Sequence, residues 1–177
     1  MNTYQRIDGF SLVLPDGTTM PRLGQGTWKM GEEKGKRQEE VEALEYGMAL
    51  GMNLIDSAEM YADGAAEAIA GEAIKGKDRS DVFLVSKVYP WNAGRECLSK
   101  SCDQSLKNFG VETLDLYLLH WREDADLAEV VYGMEELIDK GKIRRWGVSN
   151  FDTADMEDLW KVPSGKNCAI NQVLYNL

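Results

Sequence analysis

The feature that most constrains this chain is a recurrence. Short apolar runs bounded by turn residues return about every 30 residues, centred on Leu54, Val85, Leu118 and Val148, with stretches of helical period between them. That interval holds one strand and the crossover helix that a parallel neighbour requires. The strands read as LGQGTW, NLID, VFLVSKV, LDLYLLHW, RRWGVSN and CAINQVLYNL, the last running over Ala169–Asn176. The helices read as Arg37–Gly51, Ala65–Lys75, Arg95–Phe109, Leu127–Lys140 and Thr153–Trp160, with apolar residues three or four apart. Gly51, Gly110 and Gly141 follow these periodic runs and predict left-handed helix ends. Asp152 or Thr153 is expected to cap the fifth helix. Ahead of the first unit, SLVLPDGTTMP predicts a hairpin turning at Pro15-Asp16-Gly17.

Alternating strands and helices imply a parallel sheet with right-handed crossovers, either an open doubly wound sheet or a closed barrel. An open dinucleotide-binding sheet carries G-x-G-x-x-G after its first strand, whereas here Gly24-Gln25-Gly26-Thr27-Trp28 runs on into Lys29-Met30. Asp56, Lys87, His120, Ser149, Asn150 and Gln172 all fall at the carboxyl ends of expected strands, the face on which barrel enzymes assemble their sites. The expected fold is therefore an α/β (β/α)8 barrel with an N-terminal hairpin, present here through about the sixth strand. No linker or low-complexity run interrupts it, so residues 1–177 read as one domain.

Charge narrows the partners. Thirty acidic residues against 20 Lys and Arg leave a formal charge of -10, which repels phosphate backbones and anionic lipid, so neither nucleic acid nor a membrane is expected as partner. No run approaches the roughly 20 apolar residues of a membrane helix, and the start MNTYQRIDGF lacks the order of a signal peptide, giving a cytoplasmic expectation. Cys97, Cys102 and Cys168 with a single His leave no zinc-type ligand set, so no metal is expected and the thiols read as buried small hydrophobes.

In a barrel, consecutive strand ends surround one mouth, which brings Asp56, Lys87 and His120 together with Tyr61 on the loop after Asp56. A Lys ammonium held by the Asp carboxylate beside the phenol is expected to lower the Tyr pKa from about 10, so that it can hand a proton to a carbonyl oxygen becoming an alkoxide. His120 can hydrogen-bond the same oxygen. Singly these residues have ordinary structural uses: a capping Asp, a half-buried loop Tyr, a solvated Lys. Lys87 and His120, however, follow the strongly apolar runs VFLV and LDLYLL, where an unpaired polar group is costly. From the residues alone Ser149-Asn150 reads as a helix cap before Phe151, Trp146 as a packing residue, and the run Arg122 to Asp126 as a solvated loop before a helix.

The segments LGQGTW, NLIDSAEMY, VFLVSKVYP, LDLYLLHW, GKIRRWGVSNF and NQVLYN, in this order from Leu23 to Asn176, resemble the aldo-keto reductases, and within them the bacterial short-loop methylglyoxal and small-aldehyde reductases. The resemblance implies a barrel whose bottom is covered by the hairpin, binding NADPH without a Rossmann fold. It implies a catalytic set of Asp56, Tyr61, Lys87 and His120, with Tyr61 as general acid, Lys87 and Asp56 tuning it and His120 as orienting donor. Gly26, Thr27, Asp56, Ser149, Asn150 and Gln172 would face the cofactor, the last three suiting the donor and acceptor ends of its carboxamide. Trp28, Trp91, His120 and Trp121, with Tyr89-Pro90, would wall the pocket of a small carbonyl substrate. The whole protein is expected as a monomer or weak homo-oligomer, and the preference for NADPH over NADH comes from the resemblance alone. Such barrels need about 250 residues, so the chain is expected to be C-terminally incomplete. It would then lack the aromatic that stacks on the nicotinamide and the groups that grip the adenosine phosphates, and would bind NADPH poorly by itself. Two other readings compete: a cofactor-sensing or scaffold subunit of the same fold with little turnover, and a barrel enzyme in which Lys87 forms a Schiff base.

Overall fold

A computed structural model describes residues 11–14 and 16–176, so Pro15 of the expected turn lies outside the described residues. Strands β1 (Ser11–Val13) and β2 (Thr19–Pro21) pair antiparallel, and the Leu14 N–H donates to Thr18 O at 2.8 Å to close the hairpin. Six further strands then run parallel and pair in chain order: β3 (Gly24–Gly26), β4 (Leu54–Asp56), β5 (Phe83–Val88), β6 (Leu116–Leu119), β7 (Trp146–Ser149) and β8 (Asn171–Gln172). The crossovers carry α1 (Arg37–Ala49), α2 (Ala65–Ala73), α3 (Arg95–Phe109), α4 (Leu127–Asp139) and α5 (Thr153–Lys161). Gly51, Gly110 and Gly141 take φ of 98°, 68° and 70°, the left-handed helix ends expected of them. The Asp152 carboxylate caps α5 in a reciprocal box with Asp155.

The two faces of the sheet pack differently, and this separates a curled barrel wall from a doubly wound sheet. Strand residues alternate in direction. Leu84 and Val88 of β5 and Tyr117 and Leu119 of β6 turn outward into the large cluster shared with the helices, including Leu44, Ile69, Leu98 and Phe109. Phe83, Val85, Leu116 and Leu118 turn inward and meet Leu14 of the hairpin in a second cluster. Helices thus cover one face only, and the concave face is filled from below by the hairpin: a partial (β/α)8 barrel. Arg145, just before β7, fastens the hairpin there through Asp16 Oδ2 at 3.0 Å and Thr18 Oγ1 at 2.7 Å. Close helix packing has a local cause at Gly71, where a Cβ would stand 2.6 Å from Phe109 O.

Two expectations need correction. The sixth parallel strand pairs only over Asn171–Gln172 and not over Ala169–Asn176; Leu174 and Tyr175 are 83% and 82% exposed. Among the described residues β8 has a neighbour on one side only, so nothing beyond β7 holds a longer ladder. The cysteines are free as expected, but Cys97 lies exposed on the outer face of α3 while Cys102 is buried. Burial pushes the Cys102 thiol up to about 12 and that of Cys168 to about 11, which leaves both unreactive.

One buried acid belongs to the outer layer. Glu67 of α2 is fully buried; the Ser86 hydroxyl donates to its Oε1 and Asn108 Nδ2 to its Oε2 at 2.8 Å. Burial raises its pKa against the pull of those hydrogen bonds. The folded carboxyl therefore keeps its proton to higher pH than the unfolded one, and its cost to stability grows as pH rises through that interval. Glu67→Gln, permanently neutral and able to keep both contacts, should melt above the wild type at pH 8 and level with it at pH 4. Melting curves across that range test this, and a gain independent of pH would contradict it.

Candidate active site

Register explains how the site assembles. Gly26 pairs with Asp56, Asp56 with Val85, Lys87 with Leu118 and Ser149 with Gln172, so the polar ends of five strands lie along one rim. On β5 Lys87 has the parity of Phe83 and Val85 and points inward above them, although its side chain is only 2% exposed. An ammonium there must be paired. Its Nζ donates to Asp56 Oδ1 at 2.7 Å and to Ser57 O at 2.8 Å. Burial still pulls the Lys87 pKa down, opposed chiefly by Asp56.

Tyr61 follows on the loop after β4, its N–H donating to Ala58 O at 3.0 Å, in a turn where Ala62 and Asp63 take φ of 49° and 51°. Lys87 Nζ lies 5.2 Å from the centroid of its ring. His120, immediately after β6, stands edge-on to Tyr61 with ring centroids 5.9 Å apart. Four groups expected to converge do so. The expected depression of the Tyr61 pKa is reversed, however: burial, and then the Asp56 carboxylate, push it up to about 12. The ammonium is spent on Asp56 and Ser57 and lies toward the ring, while the phenol itself is half-buried. Burial and then Lys87 lower His120 to about 4, so its imidazole is neutral at physiological pH. Its Nδ1 is buried without a hydrogen-bond partner among the described residues. Tyr61 thus holds a proton beside a neutral imidazole and a buried ion pair, groups whose chemistry can serve an oxygen gaining negative charge.

At the adjoining strand ends Ser149 Oγ donates to Gln172 O at 2.9 Å, and Asn150 Nδ2 donates to His120 O at 3.0 Å and to Ser149 Oγ at 3.1 Å. Asn150 takes a left-handed φ of 59°. Neither residue caps α5, since Asp152 does that, so the helix-cap reading of Ser149-Asn150 is set aside. Thr27 is fully buried with its hydroxyl donating to Ser57 Oγ at 2.8 Å, while Gly26 beside it has open space over its Cα. A cavity of about 160 Å³ on the concave face reaches from Met20 past Leu118 to Asp56, Asn171 and Gln172.

The aromatic wall forms from part of the expected set. Tyr89 stacks on Trp91 at 4.3 Å, Trp121 meets both edge-on at 5.8 and 5.6 Å, and Trp121 lies 5.0 Å from His120. Trp28 does not join it: the ring is 69% exposed and its contact is with the Lys29 ammonium at 5.2 Å. Trp146 is buried packing, its indole N–H satisfied by Glu135. The loop from Arg122 to Asp126 is more structured than a solvated run, since Arg122 bridges Asp155 and Asp158 of α5 and Asp126 caps α4. Among the described residues no group of three or more potential ligands could hold a metal ion, and no helix is long and apolar enough to cross a membrane.

Comparison with known proteins agrees with this architecture. The sequence model of the aldo/keto reductase family matches residues 22–177. Methylglyoxal reductase YeaE of Escherichia coli (strain K12) is 57% identical over 159 residues, covering 90% of this chain and 56% of that protein. An aldo/keto reductase from Klebsiella pneumoniae solved with NADP and acetate superposes with a TM-score of 0.90 at 51% identity, over 94% of this chain and 58% of its own. One from the same organism solved with NADPH gives 0.89 at 49% identity, over 97% and 59%. The chain spans a little over half the length of these relatives. With its strand order, its rim of polar residues and this match in hand, the chain belongs to the aldo/keto reductase family.

Proposed function

We propose that this chain carries the acid–base and carboxamide-facing part of an NADPH-dependent reductase of small aldehydes and ketones, with methylglyoxal as a representative substrate. The observation that carries the reading is the buried Lys87–Asp56 pair at 2.7 Å beside Tyr61 and His120. The relatives solved with NADP or NADPH, and the 57% identity to a methylglyoxal reductase, support the cofactor and substrate class. The donor set fits: the Ser149 hydroxyl and the amides of Asn150 and Gln172 stand on adjacent strand ends and complement a primary carboxamide.

A reduced nicotinamide supplies the hydride when bound. This chain's residues do the rest. Tyr61 gives its phenolic proton to the carbonyl oxygen as that oxygen becomes an alkoxide, whose conjugate acid is weaker than a phenol. A phenol held at about 12 therefore stays protonated at neutral pH and still transfers its proton downhill. Neutral His120 orients the same oxygen, Lys87 offsets the charge of Asp56, and Tyr89, Trp91 and Trp121 offer an apolar wall to the substrate. We assign the protein to the cytoplasm, which suits its free thiols, as one domain acting as a monomer or weak homo-oligomer.

In the full-length protein, methylglyoxal should bleach the absorbance band of NADPH. Cofactor binding without oxidation would replace this reading by the sensing or scaffold role. A substrate adduct trapped on Lys87 by borohydride would replace it by Schiff-base chemistry.

A further inference from the structure

Glu59 is absent from the family-derived set of site residues, yet it is the group that joins the two loops on which that set depends. It lies between Asp56 and Tyr61, and its N–H donates to Lys87 O at 3.1 Å. Its side-chain Oε1 accepts from the Tyr89 N–H at 2.7 Å and from Asn92 Nδ2 at 3.1 Å. One carboxylate oxygen thus holds both ends of the turn that presents Trp91, whose internal ties are the Asn92 N–H to Tyr89 O bond at 3.0 Å and the Ala93 N–H to Pro90 O bond at 3.1 Å. Pro90 inside that turn lacks an N–H and restricts Tyr89 to the extended conformation it adopts, with φ -61° and ψ 147°. An acceptor from outside the turn therefore sets where it sits. Trp91 is 60% exposed, so packing alone does not hold its ring.

We propose that Glu59 is a positioning residue for substrate selection: by anchoring the Tyr89–Asn92 turn to the Tyr61 loop it fixes the aromatic wall relative to the acid. Ring contacts run from Tyr61 to His120, from His120 to Trp121, and from Trp121 to Tyr89 and Trp91. Glu59 closes this chain into a loop through the backbone of Tyr89. Charge-assisted hydrogen bonds are short and directional, which suits a tether better than a stacked ring pair that can slide. The substrates selected are carbonyls with an aromatic or extended apolar substituent, because these reach the wall, whereas a two- or three-carbon aldehyde is held at the acid alone. The proposal rests on the reductase reading above.

The test uses the full-length protein with two aldehydes, methylglyoxal and benzaldehyde, and near-ultraviolet circular dichroism to report the stacked Tyr89–Trp91 pair without turnover. E59A should lose part of the near-ultraviolet signal and raise KM for benzaldehyde roughly tenfold, with a smaller rise for methylglyoxal and a smaller fall in kcat. E59Q, whose amide oxygen can accept both bonds, should restore the signal and the KM ratio. N92A removes only the 3.1 Å bond and should give the same split in smaller measure, so a failure of E59A to fold leaves the question decidable. An unchanged KM ratio and near-ultraviolet signal in the folded variants would overturn the proposal. So would E59Q behaving like E59A, since the charge and not the tether would then matter. If the wild type oxidises no NADPH with either aldehyde while E59A alters the dichroism and E59Q restores it, the reductase reading fails and the tether stands.

Discussion

Tyr61→Phe should lower carbonyl reduction by the full-length enzyme about 10²–10⁴-fold while cofactor affinity stays within about twofold. The substitution removes one oxygen and keeps the ring, so the edge-on contact with His120 and the stack of groups behind it survive. What is lost is the transferable proton. No neighbour can replace it at neutral pH. His120, lowered to about 4, is neutral and would have to give up an imidazole N–H, and the Lys87 ammonium is engaged by Asp56 and Ser57. The loss should fall on kcat, because a proton given only as the alkoxide forms is an interaction of the transition state and not of the bound substrate. Steady-state rates with methylglyoxal, set beside NADPH titration by fluorescence, check both halves. Wild-type turnover in the variant would remove Tyr61 from the role of acid.

The legible part of this molecule was the part that depends on local pattern. Among the described residues, period and spacing located the first five parallel strands and the five helices within a few residues, because short apolar runs such as VFLVSKV and LDLYLL alternate with stretches of helical period, while the sixth strand is shorter than its run predicts. Position at the carboxyl end of VFLVSKV placed Lys87 at the mouth, whereas its inward parity with Phe83 and Val85 comes from the coordinates. Three-dimensional competition was not legible. The ammonium expected to acidify Tyr61 has nearer partners, and only coordinates show that Asp56 Oδ1 and Ser57 O take it. Trp28 and Trp91 look alike as aromatics after strand ends, yet only Trp91 finds a ring to stack on. Glu59 left no signal, as its two acceptor contacts join loops about 30 residues apart. Glu67 did leave one: in AAEAIAGEA it sits between two alanines, five residues before the helix's other acid, Glu72, and so off the helix face that Glu72 occupies.

Lys87→Met should be severe in two separable ways, destabilising the fold by about 2–4 kcal/mol and abolishing most turnover. The stability loss comes from the partner left behind. Asp56 is 20% exposed and takes its one side-chain hydrogen bond from the Lys87 ammonium among the described residues, so a lone carboxylate would remain on the inner rim. Ser57 O would lose a donor as well. Replacing both members, Lys87→Met with Asp56→Asn, removes the uncompensated charge and should recover most of the stability, because a neutral pair carries no large desolvation cost. Turnover should not return with it. In the single variant an unopposed Asp56 carboxylate makes the phenolate that remains after proton transfer harder to form; in the double variant that repulsion is gone, but so is the ammonium 5.2 Å from the Tyr61 ring centroid, which, though shared with Asp56 and Ser57, partly balances the phenolate as it forms. Urea midpoints for wild type, both single variants and the double, with rates from the same preparations, complete the cycle. If the double variant recovers turnover together with stability, Lys87 serves the fold alone, and the chemistry assigned to its ammonium is wrong.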